Sequence, residues 1–185
     1  MSHQRVLITG AGSGIGFAIA EKFLEAGAKV HIADISADAL AKAEAARSAL
    51  SISVADVGDP VSVENLFTEA IAALGGLDAL INNASDLGPA PLALSADTEC
   101  EELERALATN LLGPFRLTKA LLGALASSAR EGRGAVVLNV SSDAAINPYP
   151  RWGAYGASKA ALHHMSRIWS EELSTAGIQI LSLDP

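Results

Sequence analysis

Short runs of consecutive apolar residues recur along the chain, separated by longer stretches in which apolar positions return every three or four residues. The runs at 5–9, 29–33, 51–54, 78–81, 135–140 and 178–183 are predicted strands. Val-Leu-Ile, Ala-Leu-Ile and Ala-Val-Val-Leu within them lack a polar alternate, the mark of strands covered on both faces. Helical periodicity spans 14–26, 37–50, 61–74, 99–126 and 154–175, and Gly27, Gly75 and Gly177 stand where helices should stop. Strands alternating with crossover helices predict a parallel sheet with helices on both faces, an α/β fold.

No linker or low-complexity stretch divides residues 1–185, which are read as one domain. The most loop-like segments, 85–98 and 142–153, follow strands and should border the crevice beyond the carboxyl ends of the sheet. Composition agrees with layered packing: half the residues are apolar and aromatics are only 4%. The net charge of −8 and scattered Lys and Arg disfavour a nucleic-acid partner. A single cysteine, Cys100, excludes a disulfide framework or a Cys-based zinc site within one chain, and no metal site is expected. His163-His164 lacks further ligands at compatible spacing. There is no signal-like leader and no apolar run near the roughly 20 residues that span a bilayer, so a cytoplasmic protein without a membrane partner is the expectation.

The first predicted strand runs into Gly10-Ala11-Gly12-Ser13-Gly14-Ile15-Gly16 and then a helix bearing Phe17, Ala20, Phe23 and Leu24. Strand, glycine cluster and helix in that order read as a dinucleotide-binding turn. Missing β-carbons let the backbone approach a pyrophosphate, and N–H groups at the helix start favour the anion. The spacing is T-G-x-x-x-G-x-G; Phe17 takes the last glycine's place in a G-x-G-x-x-G frame. Asp34, eighteen residues beyond Gly16, closes the second strand, where a carboxylate can accept from both hydroxyls of an adenosine ribose and repel a 2′-phosphate. NAD is therefore expected over NADP, with helix capping as the alternative role of Asp34. Asp56-Val57 after the third strand either meets an adenine ring or forms an ordinary turn.

Tyr155 and Lys159 stand at i and i+4, on one helical face. A free phenol titrates near pH 10, and an adjacent ammonium favours its ionised form, bringing it toward acid–base work. Alone the pattern is better read as an amphipathic helix with a core-facing Tyr. Ser141-Ser142 follows the fifth strand thirteen residues upstream, and alternation sends only one of these hydroxyls to the crevice.

Taken together, Thr9-Gly10-x-x-x-Gly14-Ile15-Gly16, Asp34, Asp56-Val57, Asn82-Asn83-Ala84, Asn110, Ser142, Tyr155 and Lys159 resemble the short-chain dehydrogenase/reductase family over the whole chain. The resemblance implies a Rossmann-type doubly wound sheet in the order 3-2-1-4-5-6. It also implies an oxidoreductase that moves a hydride between NAD(P) and an alcohol or ketone. Tyr155 would be the general acid/base, and Lys159 would lower its pKa and hold the nicotinamide ribose. Ser142 would position the substrate oxygen, and Asn110 would hold a water linking Lys159 to solvent. Gly10, Gly12, Ser13, Gly14, Ile15, Gly16, Asp34, Asp56, Val57, Asn83 and Ala84 would bind the cofactor together with Tyr155 and Lys159. A homodimer or homotetramer is the implied assembly.

Two departures accompany the resemblance. Ser85 stands where the family usually has glycine, so an altered backbone after the fourth strand is expected. The sequence ends at Asp184-Pro185, where members continue with a substrate-covering segment and a seventh strand, which implies a truncated domain with the sixth strand as its edge. An alternative reading is therefore a truncated NAD-binding or interaction protein with little turnover. An extended nucleotide-sugar epimerase or dehydratase is disfavoured by the three-residue gap between Gly10 and Gly14.

Overall fold

The computed structural model describes residues 4–185. In chain order it forms β1 (Arg5–Thr9), α1 (Gly14–Glu25), β2 (Lys29–Asp34), α2 (Ala37–Ala46), β3 (Ser51–Val54), α3 (Pro60–Leu74) and β4 (Ala79–Asn82). There follow α4 (Cys100–Leu107), a π-turn (Ala108–Leu112), α5 (Gly113–Arg130), β5 (Val136–Val140), α6 (Gly153–Leu173) and β6 (Gln179–Leu183). Short 3₁₀ turns occupy Asp143–Ala145 and Ser174–Ala176. The strands form one parallel sheet in the order β3-β2-β1-β4-β5-β6, as the family resemblance implies.

Strand alternation divides the core in two. Leu7, Leu80, Val137 and Ile180 face one side and pack under Val63, Leu66 and Ala70 of α3 and Leu117, Leu121 and Leu125 of α5. Val6, Ile8, Val30 and Ile32 face the other side, under Ala20 of α1 and Leu40 and Ala43 of α2. On that second side the β4–β6 half of the sheet is more open: Leu181 and Leu183 are exposed, and with Ile19, Phe23 and Leu138 they line a cavity of about 310 Å³. Among the described residues no helix is long and apolar enough to cross a membrane.

Local chemistry sets the element ends. Asp59 caps α3 by accepting the Ser62 N–H at 2.8 Å, Pro60 fits the first turn, and Gly75 ends the helix in a left-handed conformation. The periodicity predicts one helix over 99–126, but the rod is divided by the π-turn and runs on to Arg130. Ser128 lets it continue because its hydroxyl is buried and donates to the Leu77 carbonyl at 2.7 Å. The helix predicted over 37–50 stops at Ala46.

The amino-terminal end of the sheet is pinned by Asp78. Its carboxylate accepts from Arg5 Nη2 at 2.7 Å, from Arg133 Nη2 at 3.1 Å and from the Arg5 backbone N–H at 2.9 Å. These hydrogen bonds hold the carboxyl well below the usual carboxylate range despite its burial.

On the α3 side of the sheet lies His31, fully enclosed, with Nδ1 2.9 Å from Ser51 Oγ and Nε2 2.8 Å from Ser53 Oγ. Ser53 donates to the Glu69 carboxylate, so Nε2–H is the donor to Ser53 and Ser51 donates to Nδ1. Burial lowers the imidazole from 6.5 to about 4, outweighing the attraction of Glu69. The folded chain thus binds this proton more weakly than the unfolded chain. Its stabilising neutrality is complete above about pH 6.5 and is lost progressively as pH falls toward about 4. Denaturant midpoints followed between these limits should fall with pH, and His31→Gln, which cannot titrate, should flatten that slope; an unchanged slope would remove His31 as the cause.

Candidate active site

The carboxyl ends of β1 to β4 open on a cavity of about 410 Å³. The turn after β1 is held against its floor from both sides. Thr9 Oγ1 accepts the N–H groups of Asn83 and Ala84 at 3.1 and 3.2 Å, and Asn83 Nδ2 donates back to the carbonyls of Thr9 and Gly10 at 3.1 and 2.8 Å. Gly10 has φ 61°, and a Cβ there would lie 2.6 Å from Ala84 Cα, so the position admits only glycine on two counts. From the β2 side, Ala33 takes the Ala11 N–H at 3.1 Å and the Asp34 carboxylate takes the Gly12 N–H at 2.9 Å. Gly16 packs the start of α1 onto this turn, since a Cβ there would sit 2.5 Å from the Gly10 carbonyl.

The start of α1 has neither a side-chain cap nor an acidic residue in its first turn. Its first backbone donors and the positive end of its dipole are thereby left to an anion. Ser13 and Ile15 place this helix end on the cavity wall, and Asp34 stands further along the same cavity. The other carboxylate oxygen of Asp34 accepts the Ser36 N–H at 3.0 Å, while the cap of α2 falls to Ser36 Oγ, which accepts from Ala39 at 3.2 Å. Beyond it Ile35, Ala55 and Val57 present an apolar wall, with Ile35 exposed. Asp56 lines the same end and also closes a local turn, accepting the Gly58 N–H at 2.8 Å. Ser85 keeps an ordinary backbone; the described non-glycine residue with positive φ is Arg151, at 73°.

Tyr155, Ser158 and Lys159 project from one face of α6, with Ser158 and Lys159 buried. Lys159 Nζ donates to the Val140 carbonyl at 2.8 Å and lies 5.6 Å from the centre of the Tyr155 ring. Burial pushes the ammonium down to about 8. Trp152 meets the Tyr155 ring edge-on at 5.5 Å. The two serines after β5 diverge: Ser141 is buried with its hydroxyl unpartnered, whereas Ser142 is half-buried and accepts the Ala144 N–H at 3.2 Å. The turn that follows Ser142 lies against α6, since a Cβ on Gly156 would be 3.0 Å from the Ala144 carbonyl. Tyr149 donates to Asp143 at 2.5 Å in the same loop, which raises the Tyr149 phenol above its ordinary value.

Asn110 is fully enclosed in the π-turn. Its Nδ2 donates to the Asp86 carbonyl at 2.7 Å and to Ser158 Oγ at 2.8 Å, and its Oδ1 accepts the Asp86 N–H at 2.8 Å. Sequence reasoning missed Ser158, Asp86 and the lacing role of the Thr9 hydroxyl. The Tyr155 frame could have flagged Ser158, which sits one position before Lys159. His163 Nδ1 lies 3.3 Å from Ser182 Oγ, and Cys100 is exposed at the start of α4.

The short chain dehydrogenase family pattern matches residues 4–185. An uncharacterized oxidoreductase of Thermotoga maritima is 36% identical over 182 residues, covering 97% of this chain and 70% of that protein. A sorbitol dehydrogenase of Cereibacter sphaeroides is 33% identical over 185 residues, covering 98% of this chain and 69% of its own. Among solved structures, a 3-ketoacyl-(acyl-carrier-protein) reductase of Brucella melitensis complexed with NADH superposes with a TM-score of 0.92 at 29% identity, over 98% of this chain and 75% of that one. With the family pattern spanning nearly every residue and the strands in the order β3-β2-β1-β4-β5-β6, this chain belongs to the short-chain dehydrogenase family of oxidoreductases.

Proposed function

We propose that the chain transfers a hydride between NAD(H) and a carbonyl or alcohol substrate, with Tyr155 as general acid and base. The observation that carries this reading is the buried Lys159 ammonium, 5.6 Å from the Tyr155 ring on the same face of α6. A positive charge held there favours the phenolate. Burial and the hydrogen bond to Val140 keep that ammonium in one place beside the phenol rather than free in solvent. Val140 takes one of the three ammonium donors, leaving two for ribose hydroxyls. Ser142, half-buried just beyond the end of β5, is the residue to hold the substrate oxygen. The Asn110 side chain already spends both amide hydrogens on protein, so a water in a relay to Lys159 would meet its remaining carbonyl capacity.

The residues fit a dinucleotide. The uncapped start of α1 suits a pyrophosphate, Asp34 a ribose, and the apolar wall of Ile35, Ala55 and Val57 an adenine. A bound nicotinamide supplies or accepts the hydride; the protein orients the partners and handles the proton. Asp34 supports NAD over NADP because its carboxylate would face a 2′-phosphate. Replacing Asp34 with Ser should shift the NADH-to-NADPH affinity ratio toward NADPH by at least about tenfold in a fluorescence titration. An unchanged ratio would remove Asp34 as the discriminator. The function itself is tested by following NADH absorbance while the chain is incubated with NAD(H) and a panel of alcohols and ketones. NADH binding without turnover on any member would favour the non-catalytic reading.

A further inference from the structure

Asp86 is the point at which three parts of the molecule meet. It lies in the segment between β4 and α4 and, with Ser85, lines the cavity at the carboxyl ends of β1 to β4. Both of its backbone polar groups are held by the Asn110 carboxamide, at 2.8 and 2.7 Å. Its carboxylate is held separately: one oxygen accepts the Gly88 N–H at 2.7 Å and the other accepts from Arg105 Nε at 2.8 Å. The same guanidinium donates through Nη2 to the Gly88 carbonyl at 3.2 Å. One planar fork therefore grips both ends of the Asp86–Gly88 turn.

Arg105 and Asn110 are five residues apart, a spacing that would diverge on a regular α-helix. The π-turn at Ala108–Leu112 bonds five residues apart and brings both side chains onto the same loop. From Asn110 the connection continues inward. Its Nδ2 reaches Ser158 Oγ at 2.8 Å, and that hydroxyl donates to the Tyr155 carbonyl at 2.7 Å.

We propose that Asp86 and Arg105 form a positioning clamp that fixes the β4–α4 loop on Asn110 and thereby sets the cavity wall against the Tyr155 face of α6. Neither residue touches the reacting atoms. They act by holding Asn110 in one orientation, which the chain Asn110–Ser158–Tyr155 transmits to the catalytic helix. The role rests on the hydride-transfer reading, but the clamp itself is a statement about local order.

Amide hydrogen exchange and steady-state kinetics on wild type, Arg105→Ala and Arg105→Lys test it. The Arg105 side chain is partly exposed, so its loss should leave the melting temperature nearly unchanged. Exchange across 84–88 should rise by about fivefold in R105A. kcat should fall by about tenfold with substrate KM little changed. R105K, which keeps the charge but not the fork, should recover only part of both. Unchanged exchange at 84–88 in R105A would overturn the clamp, as would a loss of protection spread evenly over the sheet. Wild type that neither binds NADH nor turns over any substrate would instead defeat the hydride-transfer reading, while the exchange pattern would still decide the clamp.

Discussion

Tyr155→Phe is expected to lower kcat by about a thousandfold while leaving NADH affinity within about twofold. The substitution deletes one hydroxyl and nothing else. The ring keeps its edge contact with Trp152 at 5.5 Å and its place 5.6 Å from Lys159 Nζ. Lys159 keeps its hydrogen bond to Val140, so the groups proposed to hold the cofactor ribose stay in position. What disappears is the hydroxyl proposed to give a proton to a carbonyl oxygen or take one from an alcohol. The loss should therefore fall on kcat, with KM little changed. Stopped-flow NADH binding beside steady-state turnover separates the two. Residual turnover above about a tenth of wild type would mean that another group handles the proton.

The largest effect on folding is expected far from this chemistry, at the amino-terminal end of the sheet. Asp78→Ala should destabilise the chain by about 3 kcal/mol, toward the low end of the range for breaking a buried ion pair. The carboxylate is almost fully enclosed, and its removal leaves two guanidiniums, of Arg5 and Arg133, facing each other without it. Their partial exposure lets water relieve some of that cost. It also orphans the Arg5 backbone N–H, which Asp78 accepts at 2.9 Å. At this chain length the melting temperature should fall by about 6–12 °C. Because the folded carboxyl is held below its ordinary value, this stabilisation is present at neutral pH and is lost as acid protonates it. Asp78→Ala within about 1 kcal/mol of wild type in chemical denaturation would contradict the account.

Much of this architecture is legible in the sequence because its signals are local. Buried strands such as Val6-Leu7-Ile8 carry no polar alternate, and the glycine turn and the Tyr155–Lys159 pair each lie within a few residues. What was not legible depends on partners distant in the chain. The π-turn within the predicted 99–126 helix arises where Asn110 is drawn to Asp86 and Ser158, 24 and 48 residues away. Arg105 and Asp86 lie 19 residues apart on different elements, and no spacing rule joins them. The dual role of Asp34, on the Gly12 and Ser36 amides as well as the cavity, needed the closeness of the β1 and β2 ends. Ser85 shows the reverse case. A glycine expected from family pattern proved unnecessary, because the backbone there keeps a conformation that serine tolerates.

The central claim is that hydride passes directly between the cofactor and a carbon that Tyr155 serves with a proton. It is tested most directly with NADH deuterated on the transferring face of its C4 position, incubated with the chain and a panel of ketones. The account predicts loss of NADH absorbance together with an alcohol product carrying one deuterium on its carbinol carbon, and neither change with Tyr155→Phe. Oxidation of NADH with no label in the product, or labelled product formed equally well by the Phe variant, would contradict it.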